Sequence, residues 1–194
     1  MRVHTLLLLA SGAAAATTAC GDTTGLTAYL DNDTATVSLY ALGGTAVWLP
    51  SGYSIGSHSA VRTEQVLSFD FAFDIDTAGR PVLLPTGALK LGQQSGQSGL
   101  QLSTLPFDSI RVAPTTNYQR DSAVVIGDSS VVIAHSTPLT CPTSVHAITG
   151  VYYAKLLVLT VDTTSAPNGR RVDFRILYDL NCGYRGLELG KPKH

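Results

Sequence analysis

The sequence predicts an all-β protein, and more specifically an antiparallel β-sandwich. From Leu26 onward, period-two alternation and β-branched runs recur between clusters of Gly, Pro, Asn and Asp. No stretch with the helical period of about 3.6 residues is longer than two turns, so no helix is expected to connect parallel strands. About eight to ten short strands at this spacing favour an immunoglobulin-like Greek key first and a jelly roll second. A closed barrel also fits, because periodicity does not report closure.

Residues 1–19 have the composition of an export signal. Arg2 precedes an apolar run from Leu6 to Ala16, which is followed by small residues up to Cys20. A basic start, an apolar run and a small-residue cleavage zone are the three parts of a secretory signal peptide. The run is shorter than the roughly twenty apolar residues that cross a bilayer as a helix. We therefore expect residues 1–19 to be removed.

The end of this stretch, Thr17-Thr18-Ala19-Cys20, resembles the signal peptide of bacterial lipoproteins. In that family the cysteine is diacylated and becomes the mature N-terminus, although a Leu usually stands where this chain has Thr17. The resemblance implies that Cys20 carries a lipid and that residues 20–27 form a short tether. It places the protein in the bacterial cell envelope, on the periplasmic side of a membrane or at the cell surface. Soluble-type cleavage after Ala16, or an uncleaved anchor, are the alternatives.

The first half of the mature chain contains the clearest alternating strand. Leu67–Asp76 puts its Phe residues on one face and Asp70, Asp74 and Asp76 on the other. We expect the Phe face to pack on a core and the acidic face to be solvated. Further strands are predicted at Leu26–Leu30, Thr34–Leu42, Thr45–Leu49 and Pro81–Leu84.

The middle of the chain is predicted to contain a long loop and a hairpin. The uncharged run 92–99, GQQSGQSG, is interpreted as a surface loop, because its flanks are too short to close separate cores. Another strand is predicted near Phe107–Val112. Ala123–Ile126 and Val131–Ala134 flank Gly127-Asp128-Ser129-Ser130, a pattern that predicts a hairpin.

The last hairpin gives the strongest signal. Tyr152–Asp162 is nearly all apolar and is predicted to be a central strand buried on both faces. Pro167-Asn168-Gly169 supplies a turn, since Asn and Gly tolerate a positive φ. Val172–Leu180 alternates cleanly except at Leu177. We expect one domain over residues 28–190 and a frayed tail at 191–194.

Composition limits the function. Charged residues make up 14% of the chain and the net charge is −1, whereas an average soluble protein has about 25% charged residues. Nucleic-acid binding needs concentrated Lys and Arg, so no nucleic-acid partner is expected. There is no Gly-rich phosphate loop and no haem-attachment motif, and we expect no cofactor.

The cysteines predict a disulfide. If Cys20 is acylated, Cys141 and Cys182 remain as an even pair in an oxidising compartment. If Val161 lies opposite Val172 in the last hairpin, Val151 lies near Cys182, and only a short loop separates Val151 from Cys141. Cys141 and Cys182 with His146 could instead hold a metal, which we consider the weaker interpretation.

Gly52-Tyr53-Ser54-Ile55-Gly56 matches the G-x-S-x-G pattern of a nucleophile elbow. That motif needs a strand–turn–helix in a parallel sheet, whereas Ser57-His58-Ser59-Ala60 is a poor helix and no βα units are predicted. We interpret the segment as a loop and expect no catalytic role for Ser54.

The remaining candidate sites are weaker. Same-face residues on a strand are about 6.6–6.8 Å apart, so Asp70, Asp74 and Asp76 cannot easily chelate one cation. No metal-ligand spacing connects the histidines, His58, His135 and His146, and we expect no metal site. A sugar-stacking platform could form from aromatic residues, although most are expected to be core: Trp48, Tyr152, Tyr153, Tyr178 and Tyr184.

Charge is uneven along the chain. Residues 151–194 hold seven basic and four acidic residues, whereas the preceding mature chain is acidic. Arg170, Arg171, Arg175 and Arg185 are therefore candidates to face anionic headgroups or an acidic partner.

These observations predict a non-enzymatic, membrane-anchored module that supports or binds a membrane-proximal protein partner. A module that binds glycans or small ligands is the alternative. A hydrolase ranks third, and it would need Ser54 or an Asp pair in a cleft with an acid or base.

Overall fold

The computed structural model describes residues 28–66, 68–90, 97–141, 148–166 and 168–193. Its architecture is the predicted antiparallel β-sandwich, and the sheets of the described residues do not close into a barrel. In chain order the elements are β1 (Asp33–Tyr40), β2 (Gly52–Ser54), β3 (Ser59–Val61), β4 (Phe71–Ile75), β5 (Pro81–Pro85), β6 (Gly99–Ser103), a 3-10 helix (Phe107–Ser109), β7 (Val124–Val125), β8 (Val131–His135), β9 (Leu139–Cys141), β10 (Ile148–Gly150), β11 (Tyr153–Asp162) and β12 (Arg171–Tyr178).

Two five-stranded sheets form the sandwich. Sheet I has the strand order β1-β12-β11-β8-β6, and sheet II has the order β3-β2-β4-β5-β7. The short strands β9 and β10 pair separately with each other. Because β1 pairs with β12, the first and last strands lie side by side. Asn32 and Gly190 extend this neighbourhood by a β-bridge, with hydrogen bonds of 2.8 and 3.2 Å between their backbones.

The predicted last hairpin is confirmed. β11 pairs with β12 in a register that places Val161 opposite Val172. A β-bulge shifts the register between Val158 and Thr160. Asn168 has a φ of 64° after β11, as its tolerance of the left-handed region allows. Pro167 of the predicted turn lies outside the described residues.

The main core lies between the two sheets. Side chains from one face of each sheet interdigitate there, since successive residues of a strand point to opposite faces. An aromatic cluster occupies the centre: the ring of Phe174 lies 6.0 Å from that of Tyr53 and 6.2 Å from that of Phe71. Each such buried apolar side chain contributes about 1.5–3 kcal/mol. This core explains the Phe face predicted for β4.

A second apolar cluster covers the outer face of sheet I. The segments 104–119 and 181–190 pack over β8, β11 and β12 there. Leu177, the exception in the alternation of β12, is buried in this cluster with Phe107, Ile110 and Leu187. The predicted burial of β11 on both faces is confirmed for its first half, whereas Leu159 beyond it is exposed.

Several predicted strands are turns or coil instead. The segment Thr45–Leu49 is not a strand but a turn, closed by a bond from the Leu49 N–H to the Ala46 carbonyl. Phe107–Val112 begins as a 3-10 helix, because its apolar residues serve the second cluster rather than a sheet. Of Leu26–Leu30, the described residues 28–30 are not a strand, and the rest lie outside the described residues.

The hairpin predicted around Gly127–Ser130 is wrong. β7 pairs with β5 in sheet II, whereas β8 pairs with β6 and β11 in sheet I. The turn therefore carries the chain from one sheet to the other. Conversely, β2 and β3 form a hairpin that the sequence pattern did not predict.

The strands of the sandwich define two ends. We name the end where β1 begins and β12 finishes the proximal end, and the opposite end the distal end. The eight residues of β1 separate the two ends by about 24 Å. The predicted tail is irregular: Pro192 is buried, whereas Lys191 and Lys193 are exposed.

Candidate functional site

A cleft lined with hydroxyl groups opens at the proximal end, between the two sheets. Its volume is about 460 Å³. It is bounded by the end of β2, the segment before β4 and the segment after β8. Its polar lining residues are Ser54, Ser57, Ser68, Asp70, Ser136, Thr137 and Tyr152.

Asp70 connects the two sheets at the floor of this cleft. Its Oδ2 accepts a hydrogen bond of 2.7 Å from the Ile55 N–H, and its Oδ1 accepts one of 2.7 Å from the Thr137 N–H. Burial raises the pKa of Asp70, and the two amide hydrogen bonds oppose that shift. The predicted solvation of Asp70 is therefore wrong, because its carboxylate pairs with backbone amides instead of water.

The other two aspartates of the predicted acidic face lie at the distal end. Asp74 Oδ1 accepts a hydrogen bond of 3.1 Å from the Gly43 N–H. Asp76 forms an ion pair of 2.8 Å with Arg80 and accepts the Arg80 N–H, which lowers the pKa of Asp76. Each carboxylate thus has its own local partner, and the three do not form a common site.

Ser54 lies in the cleft, but among the described residues no hydrogen bond joins its hydroxyl to a histidine or a carboxylate. It ends β2 and is followed by the antiparallel strand β3, not by a helix. The Ser57 N–H donates to the Ser54 Oγ at 3.4 Å. The ring of His58 stacks on Tyr178 with a centroid distance of 4.3 Å, and burial lowers the pKa of His58. The G-x-S-x-G match therefore lacks both the helix and the serine–histidine contact of a nucleophile elbow.

The predicted aromatic platform is divided among separate places. Tyr152 and Tyr178 meet at His58. Tyr153 lies on the outer face of sheet I, where its ring contacts His135. Tyr184 is buried, and Trp48 lies exposed at the distal end.

A second cleft, lined by both charged and apolar residues, lies on the outer face of sheet I. Its volume is about 360 Å³. Ion pairs of 3.5 Å join Arg111 to Glu188 and Arg175 to Asp108 at its rim. The charged and apolar residues that line it are Phe107, Asp108, Ile110, Arg111, Lys155, Arg175, Leu177, Leu187, Glu188 and Leu189.

Lys155 forms the floor of this second cleft, and sequence reasoning did not identify it. Its Nζ donates to the carbonyls of Phe107 and Ile110, both at 2.8 Å. The same ammonium group lies 4.6 Å from the centroid of the Phe107 ring. Burial lowers the pKa of Lys155. A lone cation within an apolar strand is the only sequence signal, and here it fixes the 3-10 helix to the sheet.

The four candidate arginines do not share one surface. Arg170 and Arg171 lie at the distal end, where the Arg170 Nε donates to the Gly43 carbonyl at 2.8 Å. Arg171 pairs with Asp173 at 2.9 Å. Arg175 lies over the Phe107 ring on the outer face of sheet I. The Arg185 carbonyl bonds to the Ala113 N–H in the covering segments.

Cys141 and Cys182 lie at disulfide distance, with their Cα atoms 5.6 Å apart. The Gly183 N–H donates to the Val151 carbonyl at 2.9 Å, so the last hairpin positions Cys182 as the sequence predicts. Cys20 and His146 lie outside the described residues. Within the described ranges, no group of three or more His, Cys, Asp or Glu residues could hold a metal ion.

No helix of the described residues is long and apolar enough to cross a membrane. No protein-family model, curated protein or solved structure matches this chain.

Proposed function

We propose that this chain is a lipid-anchored envelope protein that binds a membrane-proximal protein partner, without catalysis, through its distal end. Acylated Cys20 would hold the sandwich at the bilayer. The loop 41–50 and Arg170 would contact the partner.

Cysteine parity supports the anchor. The pairing of Cys141 with Cys182 leaves Cys20 as the one remaining cysteine of three. Its position after an apolar run is that of a lipidated residue, and two or more acyl chains anchor a protein stably. The segment between Cys20 and Ala28 reaches about 26–29 Å when fully extended. Partners within reach would therefore be membrane proteins or proteins attached to the membrane.

The exposed pair Val47 and Trp48 is the observation that carries the partner proposal. These side chains are 69% and 67% exposed. They lie on the same loop as Gly43, whose carbonyl accepts from Arg170. Tryptophan and arginine are the residues most enriched at the energetic centre of protein interfaces. An exposed tryptophan on a loop that is itself bonded to an arginine is therefore typical of a docking surface.

Photo-crosslinking in intact cells tests the proposal. A photoreactive amino acid at position 48 should form an adduct with a protein that fractionates with the membrane. The same amino acid at Leu105, which is 55% exposed on the outer face of sheet I, is the matched control and should give little of this adduct. Mass spectrometry of the mature N-terminus should show acylated Cys20, and Cys20→Ala should reduce the adduct.

Two results would contradict the proposal. A mature chain that begins at a residue other than Cys20 and carries no lipid would contradict the proposed anchor. Equal adducts from positions 48 and 105, or adducts only with soluble proteins, would contradict the distal docking surface but not the proposed anchor.

A small-ligand function is the second candidate, and the hydroxyl-lined cleft supports it. Ser54, Ser68 and Tyr152 offer hydroxyl groups beside a cavity large enough for a small polar molecule. Titration of the protein with a panel of monosaccharides and disaccharides, followed by NMR, would test it. Shifts confined to the cleft and weakened by Ser68→Ala would favour a glycan. No shift across the panel would contradict this candidate.

A further inference from the structure

Three exposed apolar residues lie near the Asn32–Gly190 bridge at the proximal end, and we name them the proximal patch. They are Tyr29, Leu30 and Leu189, with exposures of 78%, 52% and 69%. Exposed single apolar residues are common, but these three lie within three residues of one β-bridge, Asn32–Gly190, and large apolar side chains exposed close together are typical of an interaction site.

The backbone beneath the patch is held firmly. The side-chain Oδ1 of Asn181 accepts from the N–H groups of Tyr29 at 2.8 Å and Leu30 at 2.9 Å. The Nδ2 of Asn181 donates to the Leu30 carbonyl at 2.9 Å. Tyr29 and Leu30 thus lie on a fixed backbone, and their side chains are largely exposed.

Asn32 fixes the backbone on either side of Leu189. The buried Nδ2 of Asn32 donates to the carbonyls of Gly186 and Glu188, at 2.8 and 2.9 Å. The backbone of Asn32 also pairs with that of Gly190. Leu189 therefore lies between two residues that are bonded to Asn32, and Asn32 lies two residues after Leu30.

We propose that the proximal patch inserts into the interfacial region of the lipid bilayer. This inference rests on the proposed acylation of Cys20, because the chain reaches the sandwich through Tyr29 and Leu30. A tether of about 26–29 Å at most ends at the patch itself, so these residues are the part of the sandwich held nearest to the lipid. Tyrosine is enriched at membrane interfaces, where its ring and hydroxyl meet apolar and aqueous surroundings.

The charges around the patch favour apolar insertion over electrostatic attraction. Arg111, Lys191 and Lys193 are exposed there, and Asp31, Asp33 and Glu188 offset them. Binding through the patch should therefore change little with salt or with the fraction of anionic lipid. The insertion also directs the distal end away from the bilayer, with Trp48 about 24 Å farther out.

Tryptophan quenching by brominated lipids tests this orientation. Trp48 is the only tryptophan of the chain, and it reports the distal end. A second protein with Tyr29→Trp and Trp48→Phe reports the proximal end. Both acylated proteins are placed in vesicles of phosphatidylcholine and phosphatidylglycerol that carry acyl chains brominated near the headgroup. The tryptophan introduced at position 29 should be quenched several-fold more than Trp48.

Substitutions within the reporter protein separate insertion from mere proximity. Leu30→Ser with Leu189→Ser should lower the quenching at position 29 several-fold, whereas the distal substitution Val47→Ser should leave it unchanged. Near-ultraviolet circular dichroism should stay unchanged, because all three side chains are exposed.

Each alternative outcome overturns the inference in a distinct way. If mass spectrometry shows acylated Cys20 but positions 29 and 48 are quenched equally, the orientation fails and the anchor stands. An unacylated Cys20 overturns the anchor and this inference together. Self-association of the detergent-solubilised protein that Leu30→Ser abolishes would assign the patch to a second copy instead.

Discussion

Asp179 accepts two hydrogen bonds on one oxygen from Asn181, at 2.7 Å from its backbone N–H and at 2.9 Å from its Nδ2. The same Asn181 holds the backbone of Tyr29 and Leu30. A fully buried carboxylate therefore orients the amide that fixes the proximal patch to the sandwich. Burial raises the pKa of Asp179 to about 7.

The first prediction is that Asp179 makes the protein less stable as the pH rises through the weakly acidic range. The folded state binds this proton more tightly than the unfolded state, whose pKa is 3.8. The contribution of Asp179 is therefore fully present below about pH 4 and is lost progressively up to about pH 7. The upper limit is about 4 kcal/mol at about 1.4 kcal/mol per pKa unit.

Urea unfolding of the wild type and of Asp179→Asn between about pH 4 and 8 measures this contribution. The variant should lose the part of the decline that Asp179 contributes, whereas the part from Asp70, whose pKa is also raised, should remain. Asp76→Asn is the control and should keep the decline over this range, because the pKa of Asp76 is lowered and its own contribution is lost only below about pH 4. Identical pH profiles for the wild type and Asp179→Asn would contradict the prediction.

The second prediction concerns Asp70, which joins the sheets through two backbone amides. Asp70→Ala should lower the free energy of unfolding by about 3 kcal/mol or more, since each hydrogen bond to a charged group contributes about 1.5–3 kcal/mol. Asp70→Asn should lose less, because one oxygen acceptor remains. Asp74→Asn at the distal end is the matched control and should cost less than about 1 kcal/mol. A loss of stability in the control as large as that in Asp70→Ala would refute the specific role of Asp70.

The third prediction is that Lys155 holds the segment around the 3-10 helix. Lys155→Met keeps the apolar stem but leaves the carbonyls of Phe107 and Ile110 without their donor. We expect a loss of about 1–3 kcal/mol and faster hydrogen exchange of the Ser109 and Ile110 amides. Lys193→Met, at an exposed position, should change neither. Unchanged exchange in Lys155→Met would show that packing alone holds the segment.

The fourth prediction is that the Cys141–Cys182 bond stabilises the fold. Its sequence separation of 41 residues corresponds to about 4 kcal/mol in the chain-entropy model, as an upper value. Reduction, or Cys141→Ala with Cys182→Ala, should lower the urea midpoint. The free energy of unfolding derived from it should fall by up to this value. Thiol titration of denatured protein from its native envelope, without reductant, is the direct check. Two reactive thiols from these positions would exclude the bond in the native protein.

The sequence predicted the sandwich and its last hairpin because both depend on local pattern. Val161 and Val172 are joined through a nearby turn, so the register followed from counting residues. The Phe face of β4 followed from alternation in the same way. The cysteine pair was predictable because the hairpin brings Cys182 to Val151.

Predictions failed where the burial of a side chain depends on a segment distant in sequence. The apolar residues of 107–112 resembled a strand, although their partner is the outer face of sheet I. The turn 127–130 resembled a hairpin, although its two strands belong to different sheets. Alternation reports that a residue is buried, but it does not report which surface buries it.

The sequence by itself determined the fold class and the last hairpin, because both follow from short-range pattern, whereas lipidation of Cys20 stays a prediction. Only the tertiary structure decided that Asp70 is buried on two amides and that the four arginines are dispersed. It also decided that Tyr29, Leu30 and Leu189 lie exposed near one β-bridge, Asn32–Gly190, at the proximal end. The physical reason is that hydrogen-bond partners and exposure are set by contacts between residues far apart in the chain, which composition and periodicity do not encode.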